Sequence, residues 1–364
     1  MIYFNLFFGW IKQEIFAIPG RVIALVFFLL LIALPLVTQD PFYLRVFTLA
    51  LIFAIFAASW DVLSGFTGQL NLGHALFFGV SAYTAGLLNI HLQYSPWVTI
   101  PCGAVVAVSV GLFAGIPALR LRGFYLGLVT LTFPLILLGI LFAFPNFTGG
   151  ELGVSGISRV SSSAVVNYYT AMVVFTVSVM IMWKFTDAKS KLLRTGIILH
   201  AIREDEITAR ASGINTTYYK FMAFALSGFF AGIAGGLYVH YMRIAGPQTL
   251  DLFFSFQAIL WTIFGGIATI YGPVAGVFIL YPLLEFLNLT AWGELLRQII
   301  FAVLLIVALM FMPEGITVWI LDKIEVKCPR CKVVNVFYRK KCRACRAPLH
   351  LVRESEHQYN KGEV

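Results

Sequence analysis

The sequence predicts an all-α polytopic membrane protein of about ten (8–10) transmembrane helices, one of them discontinuous, followed by a small C-terminal four-cysteine zinc ribbon. Three observations carry this. The 364 residues are 60% hydrophobic and only 12% charged, with a mean hydropathy of +0.87, whereas a soluble domain is about 45–50% apolar and about 25% charged. The runs 22–39, 62–119, 124–150, 160–183, 221–242, 252–284 and 298–313 contain no Asp, Glu, Lys or Arg. The third observation is a pair of Cys-x2-Cys knuckles near the end of the chain.

A helix needs about 20 apolar residues to cross the hydrocarbon core. On that measure the crossings fall at 22–37, 42–60, 69–88, 97–119, 124–144, 165–185, 218–242, 256–271, 274–289 and 295–312. Outer-membrane barrels show short alternating segments instead. The eighth and ninth crossings share one apolar stretch turned by "YGPVAG" (271–276), with Glu285 in the second. They read either as two short crossings or as a re-entrant hairpin, and both choices keep the total even. With the N-terminus inside, all of the 26 Lys and Arg fall on the inner side except Arg45, Arg159, Arg243 and Arg297, the distribution expected of cytoplasmic loops. Both ends are then cytoplasmic, and the net charge of +9 reflects topology and not nucleic-acid binding. The first span reads as retained, because it lacks a small-residue cleavage site. The chain divides into a cytoplasmic N-terminal segment (1–20), a transmembrane domain (21–316, with its largest inner loop at 186–217) and a cytoplasmic tail (317–364).

The stretch "GFTGQLNLGHALFFG" (65–79) places four glycines and Thr67, Gln69, Asn71 and His74 in apolar surroundings. Unpaired backbone groups cost several kcal/mol in lipid, so such a break is tolerated only against protein or a water-filled cavity. Discontinuous helices of this kind build midplane solute sites; small residues and interhelical amide bonds also glue bundles. Further on, "LLRTGIILHAIREDEITARASGINTTYYK" (192–220) is the longest polar stretch before the tail. Leu193, Ile197, Ala201 and Ile202 recur at roughly helical steps, Asp205 can cap a short helix and Gly213 can end it. Its small face at Ala209, Ala211 and Gly213 suits docking into a partner's groove, or it is a solvated surface helix. The loop "PNFTGGELGVSGISRV" (145–160) falls outside. It formally holds an Asn-x-Thr acceptor, and beside a pore mouth it either meets a substrate-delivering protein or forms a plain turn.

In this order, "GFTGQLNLGHALFFGVSAYTAGLL", "RGFYLGLVTLTF", "PNFTGGELGVSGI", "AIREDEITARASGINTTYYKFMAFALSGFFAGIAGGLY", "FGGIATIYGPVAG" and "MPEGI" resemble the blocks of LivM-type permeases, the membrane subunits of branched-chain amino acid ABC importers. The resemblance runs from about residue 59 to 316. It implies a second permease subunit, two ATP-binding cassette ATPases and an extracytoplasmic solute-binding protein as partners, with the plasma membrane as location. It also implies that Glu204, Asp205, Ala209, Gly213 and Asn215 shape or make the ATPase contact, and that Thr67, Gln69, Asn71 and His74 border the solute pathway. The chain departs from the family pattern in placing Arg210 inside the Thr208–Ala211 run.

The residues agree with a transport role. There is no Gly-x4-Gly-Lys-Ser/Thr phosphate loop and no nucleophilic triad in the membrane part, so the chain reads as a transport subunit and not as an enzyme. Asp61, His74 and Glu285 are few ionisable groups for an ion-coupled carrier, which is the rival reading together with a membrane-anchored scaffold; an amide or urea cargo is the alternative solute. In the tail, Cys328, Cys331, Cys342 and Cys345 form Cys-x2-Cys-x10-Cys-x2-Cys, four thiolates suited to one structural Zn²⁺ in a ribbon at 326–348. Iron is the lesser alternative, and disulfides are disfavoured in a reducing compartment. Basic Arg339, Lys340, Lys341, Arg343 and Arg346 suit acidic lipid, the ATPase or nucleic acid. Cys102 reads as a packing residue.

Overall fold

The computed structural model describes residues 19–118, 121, 123–188, 190, 194–289, 294–312, 314–331, 334–336, 342, 345 and 349. The N-terminal segment 1–18, Leu193, and the basic residues Arg339, Lys340, Lys341, Arg343 and Arg346 of the ribbon lie outside the described residues.

All ten apolar segments form helices: α1 (Pro19–Val37), α2 (Pro41–Thr67), α3 (Ala75–Leu92), α4 (Pro96–Ala118), α5 (Phe124–Ala143), α6 (Ala164–Thr186), α9 (Thr216–Met242), α10 (Leu252–Gly265), α11 (Tyr271–Asn288) and α12 (Glu294–Phe311). Two short helices, α7 (Thr195–Glu204) and α8 (Glu206–Ala211), fill the polar segment before α9, and α13 (Ile316–Ile324) leads into the tail. Among the described residues, seven helices are long and apolar enough to cross a membrane, and Val22–Val37 and Leu252–Gly265 are shorter apolar helices. The chain separates into two compact units, Thr38–Ile316 and a unit formed by Met1–Val37 with Thr317–Val364.

Within Thr38–Ile316, α2 is the central helix. Its apolar window is 94% buried, against 22% for α5, so α2 is enclosed by protein while α5 keeps most of its apolar surface for lipid. Helices α9, α6, α10 and α11 pack on α2, and α9 also packs on α3 and α4. Close approach explains the α9 contacts: at Gly235 a side chain would overlap the Phe78 carbonyl of α3, the small-residue packing typical of membrane helices. Rings fill the rest, with Phe53 against Trp261, Phe254, Tyr238 and Tyr281.

Three segments differ from the sequence expectation. The third helix begins at Ala75 and not at Gln69, because Gly68 takes a left-handed conformation (φ 70°) that ends α2. The turn between α10 and α11 is Gly266–Ile270, not 271–276: Pro273 lies in the first turn of α11, where its missing N–H would have had no partner. Cys102 is exposed on α4 and does not fill the core.

At the end of the bundle opposite α7 and α8, the glycine-rich loop is pinned. Strand β1 (Val154–Ser155) pairs antiparallel with β2 (Ile244–Ala245). Asn89 donates to Ser158 Oγ and accepts from Ser158 N, both at 2.8 Å, while His240 Nδ1 donates to the Ser158 carbonyl at 2.8 Å. In the tail, β3 (Glu325–Lys327) and β4 (Val334–Val336) form a second antiparallel hairpin.

Candidate functional site

Between α2 and α3 the chain runs without helix from Gly68 to His74 inside the bundle. Backbone groups in such a place need partners, and the sequence supplies them. Trp60 Nε1 donates to the Asn71 carbonyl (2.7 Å), Leu72 N to Thr130 Oγ1 (3.1 Å) and Gly73 N to Asn71 Oδ1 (3.0 Å). The first free amide of α3, Ala75 N, donates to Ser255 Oγ of α10 at 2.8 Å. Ser59 Oγ donates to the Phe56 carbonyl (2.7 Å) and lies 2.9 Å from His74 Nε2, while Asn71 Nδ2 lies 3.3 Å from His74 Nδ1. These bonds are mutually consistent with the imidazole proton on Nε2, donating to Ser59, and Nδ1 accepting from Asn71. Because Ser59 lies two turns before the end of α2, the segment re-enters from Gly68 so that α3 starts at depth.

Thr67, Gln69, Asn71 and His74 are all buried, at 3%, 4%, 3% and 0% exposure. Thr67 bonds back to the Leu63 carbonyl at 2.6 Å. Asn71 spends its side-chain groups on the segment itself, and His74 on Asn71 and on Ser59 of α2. Gln69 differs: its buried Oε1 has no hydrogen-bond partner among the described residues. Sequence reading missed Ser59, Thr130 and Ser255, which hold the segment from three other helices. Single hydroxyls on apolar helices carry no signal of what they meet.

The α7–α8 pair lies at the end of α2 where the re-entrant segment begins. The His200 ring meets Phe66 (centroids 5.4 Å apart), and a side chain at Gly68 would meet Arg203. The buried side of α7 is Gly196, Leu199 and Ile202, whereas Ile197 faces outward. Burial, first, and the Arg203 charge hold the His200 imidazole below its ordinary value. Asp205 caps α8, accepting from Ile207 N (2.8 Å), Thr208 N (3.1 Å) and Thr208 Oγ1 (2.7 Å). The Thr208 hydroxyl, then the two amides, hold its carboxyl below the usual range. Such a cap contributes above the unfolded carboxyl value of about 3.9 and is lost as pH falls through the lower folded value. Asp205→Ala is expected to fray α8, read as faster amide exchange at Ile207 and Thr208.

Gly213 (φ 85°) closes α8 in a Schellman motif, with Ile214 N donating to Ala209 O (3.2 Å) and Gly213 N to Arg210 O (3.0 Å). Asn215 then caps α9 through Tyr218 N (3.1 Å). Ala209 is buried, while Glu204 is exposed. Glu206, which the sequence reading did not single out, is the strut of this region. It pairs with Arg210 (2.9 Å) and with Lys220 of α9 (2.6 Å). Its i,i+4 spacing to Arg210 was the available signal.

In the tail unit, the Sγ atoms of Cys328, Cys331, Cys342 and Cys345 all lie within 4.8 Å of one another. Cys328–Cys345 and Cys331–Cys342 are separated by 3.6 and 3.5 Å. Zinc–sulfur bonds of about 2.3 Å in a tetrahedron require Sγ atoms about 3.8 Å apart, so the four thiols fit one ion. Asn335 Nδ2 donates to Cys342 Sγ at 3.5 Å, and Leu349 closes the cluster. The Cys331 amide, first, with the Arg330 amide and neighbouring thiols, holds the Cys328 thiol below its usual value, favouring the thiolate that metals bind.

Known proteins resemble the bundle. A family model described as the permease component of branched-chain amino acid transport systems matches residues 42–309. The chain is 27% identical over 301 residues to the high-affinity branched-chain amino acid transport system permease protein LivM of Salmonella typhimurium, covering 74% of this chain and 67% of that protein. The Escherichia coli LivM gives the same identity and coverage. A probable branched-chain amino acid transport permease LivH of Methanocaldococcus jannaschii is 26% identical over 265 residues, covering 69% of this chain and 84% of that protein. The four cysteines lie beyond the residues that the family model matches. With 268 consecutive positions, 42 through 309, matched to one family, this multi-pass membrane chain belongs to the permease components of branched-chain amino acid transport systems.

Proposed function

We propose that this chain is the permease subunit of an ATP-driven importer that carries branched-chain amino acids across the plasma membrane. The observation that carries the proposal is the re-entrant segment, where the buried Gln69 carbonyl has no hydrogen-bond partner among the described residues and α3 begins at depth. A buried carbonyl of this kind can accept from the ammonium group of a zwitterionic solute, and the surrounding apolar surface suits an aliphatic side chain. Thr67, Gln69, Asn71 and His74 border the pathway, with Gln69 as the solute-facing group. The ends of the chain and the α7–α8 pair lie in the cytoplasm, in keeping with the cation distribution. Two ATPases dock there, with Glu204 outermost and Asp205, Ala209, Gly213 and Asn215 holding the docked shape. A second permease subunit and an external solute-binding protein complete the complex. The four cysteines hold a structural Zn²⁺, which braces the tail hairpin and takes no part in transport chemistry.

Purification from native membranes in mild detergent, followed by mass spectrometry, tests the assembly. A co-purifying ATPase and second permease, with ATP-dependent leucine uptake after reconstitution, are the expected results. Leucine uptake driven by an ion gradient without an ATPase overturns the reading.

A further inference from the structure

Asp61 is fully buried in α2, six residues before that helix ends. Its carboxylate accepts from two successive amides of the α10–α11 tip: Ala268 N to Oδ1 at 2.8 Å and Thr269 N to Oδ2 at 3.0 Å. Successive amides beside a left-handed residue form an anion-binding concavity. Ala268 is that residue, with φ 60°, a conformation unfavourable for a side chain with a Cβ. The approach needs Gly65, where a methyl would overlap both the Asp61 carboxylate and Ala268 N. Gly315, near the end of this compact unit, approaches the tip so closely that a side chain there would overlap the Gly266 backbone.

We propose that Asp61 is a positioning residue that holds the α10–α11 tip in its strained form and locks it to the end of α2. The same end of α2 bears α7 through Phe66 and carries the re-entrant segment. Ser255, which receives the first amide of α3, belongs to α10. A displacement of α7 therefore reaches both sides of the re-entrant segment, through Phe66 at the end of α2 and through Asp61 by way of α10. The latch stands on geometry alone; its consequence for transport rests on the importer reading above.

Hydrogen exchange on the purified full-length chain tests the latch. Asp61→Asn replaces one acceptor oxygen by a donor. Exchange of Ala268 and Thr269 is expected to rise about 5- to 100-fold, the factor associated with leaving a buried amide without its acceptor. Gly65→Ala keeps the carboxylate but wedges it from the tip, and serves as the second variant should the first fail to fold. It is expected to speed the same amides, while those in the middle of α9 stay unchanged in both proteins. Unchanged exchange at Ala268 and Thr269 in a folded variant overturns the latch. In the assembled complex, leucine uptake per ATP hydrolysed is expected to fall, whereas simple destabilisation lowers both activities together. Faster tip exchange with no ATP-driven uptake in the parent protein would sink the importer reading and leave the latch standing.

Discussion

Asn71→Ala is expected to destabilise the protein by about 1–3 kcal/mol, the cost of stranding buried polar groups, whereas Gln69→Ala is expected to leave stability nearly unchanged and, on the proposed pathway, to weaken solute binding. The two amides lie two residues apart in one buried segment, so composition cannot separate them; hydrogen bonding does. Asn71 accepts from Gly73 N and donates toward His74 Nδ1, and its removal unpairs both while loosening the bend that brings His74 to Ser59. Gln69 Oε1 serves nothing among the described residues, and removing it strands nothing. Thermal unfolding in detergent reads the first effect, and the concentration dependence of leucine uptake reads the second. Equal loss of stability in both variants would make Gln69 a packing residue and remove the solute-facing group from the pathway.

The same contrast explains what the sequence made legible. The apolar runs located all ten helices, seven of them to within three residues at both ends, because exclusion of ions from hydrocarbon leaves a signal that needs no partner; the end of α2, the start of α3 and the end of α10 were missed by six or seven residues. The interruption at 65–79 was visible too, since glycines and amides inside an apolar run have few other uses. Its boundaries were not. Whether α3 starts at Gln69 or Ala75 depends on Thr130 and Ser255, hydroxyls 58 and 180 positions from their partners in the chain.

The tip between α10 and α11 failed for a related reason. Pro273 looks like a turn residue in one dimension, but it begins a helix because the real bend is held by Asp61, 207 positions away from Ala268. The short α7–α8 segment was easier, as the Asp205 cap and the Gly213 stop are local and have their own chemical logic. Glu206 was legible only in part, through Arg210. Its bond to Lys220 crosses the α8–α9 turn, and the geometry of that turn had to be known first.

Cys328→Ser is expected to lower bound zinc by about one equivalent per chain and to open the β3–β4 hairpin. A closed four-thiolate site is structural, and metal binding there supplies folding energy of about 10–16 kcal/mol in small zinc domains. The tail hairpin pairs only three residues per strand, and the apolar cover seen at the cluster is Leu349. So small an element has little core of its own to hold it once a ligand is lost. Serine keeps the size of the side chain and removes the soft sulfur donor. Elemental analysis of the purified protein reads the metal, and exchange of the amides in Glu325–Lys327 reads the hairpin. Because Thr38–Ile316 is a separate compact unit, its thermal transition is expected to stay where it was. Full zinc retention in Cys328→Ser would mean that another group completes the site. Iron in place of zinc, with the visible absorption of an iron–thiolate centre, would keep the four ligands and change the ion.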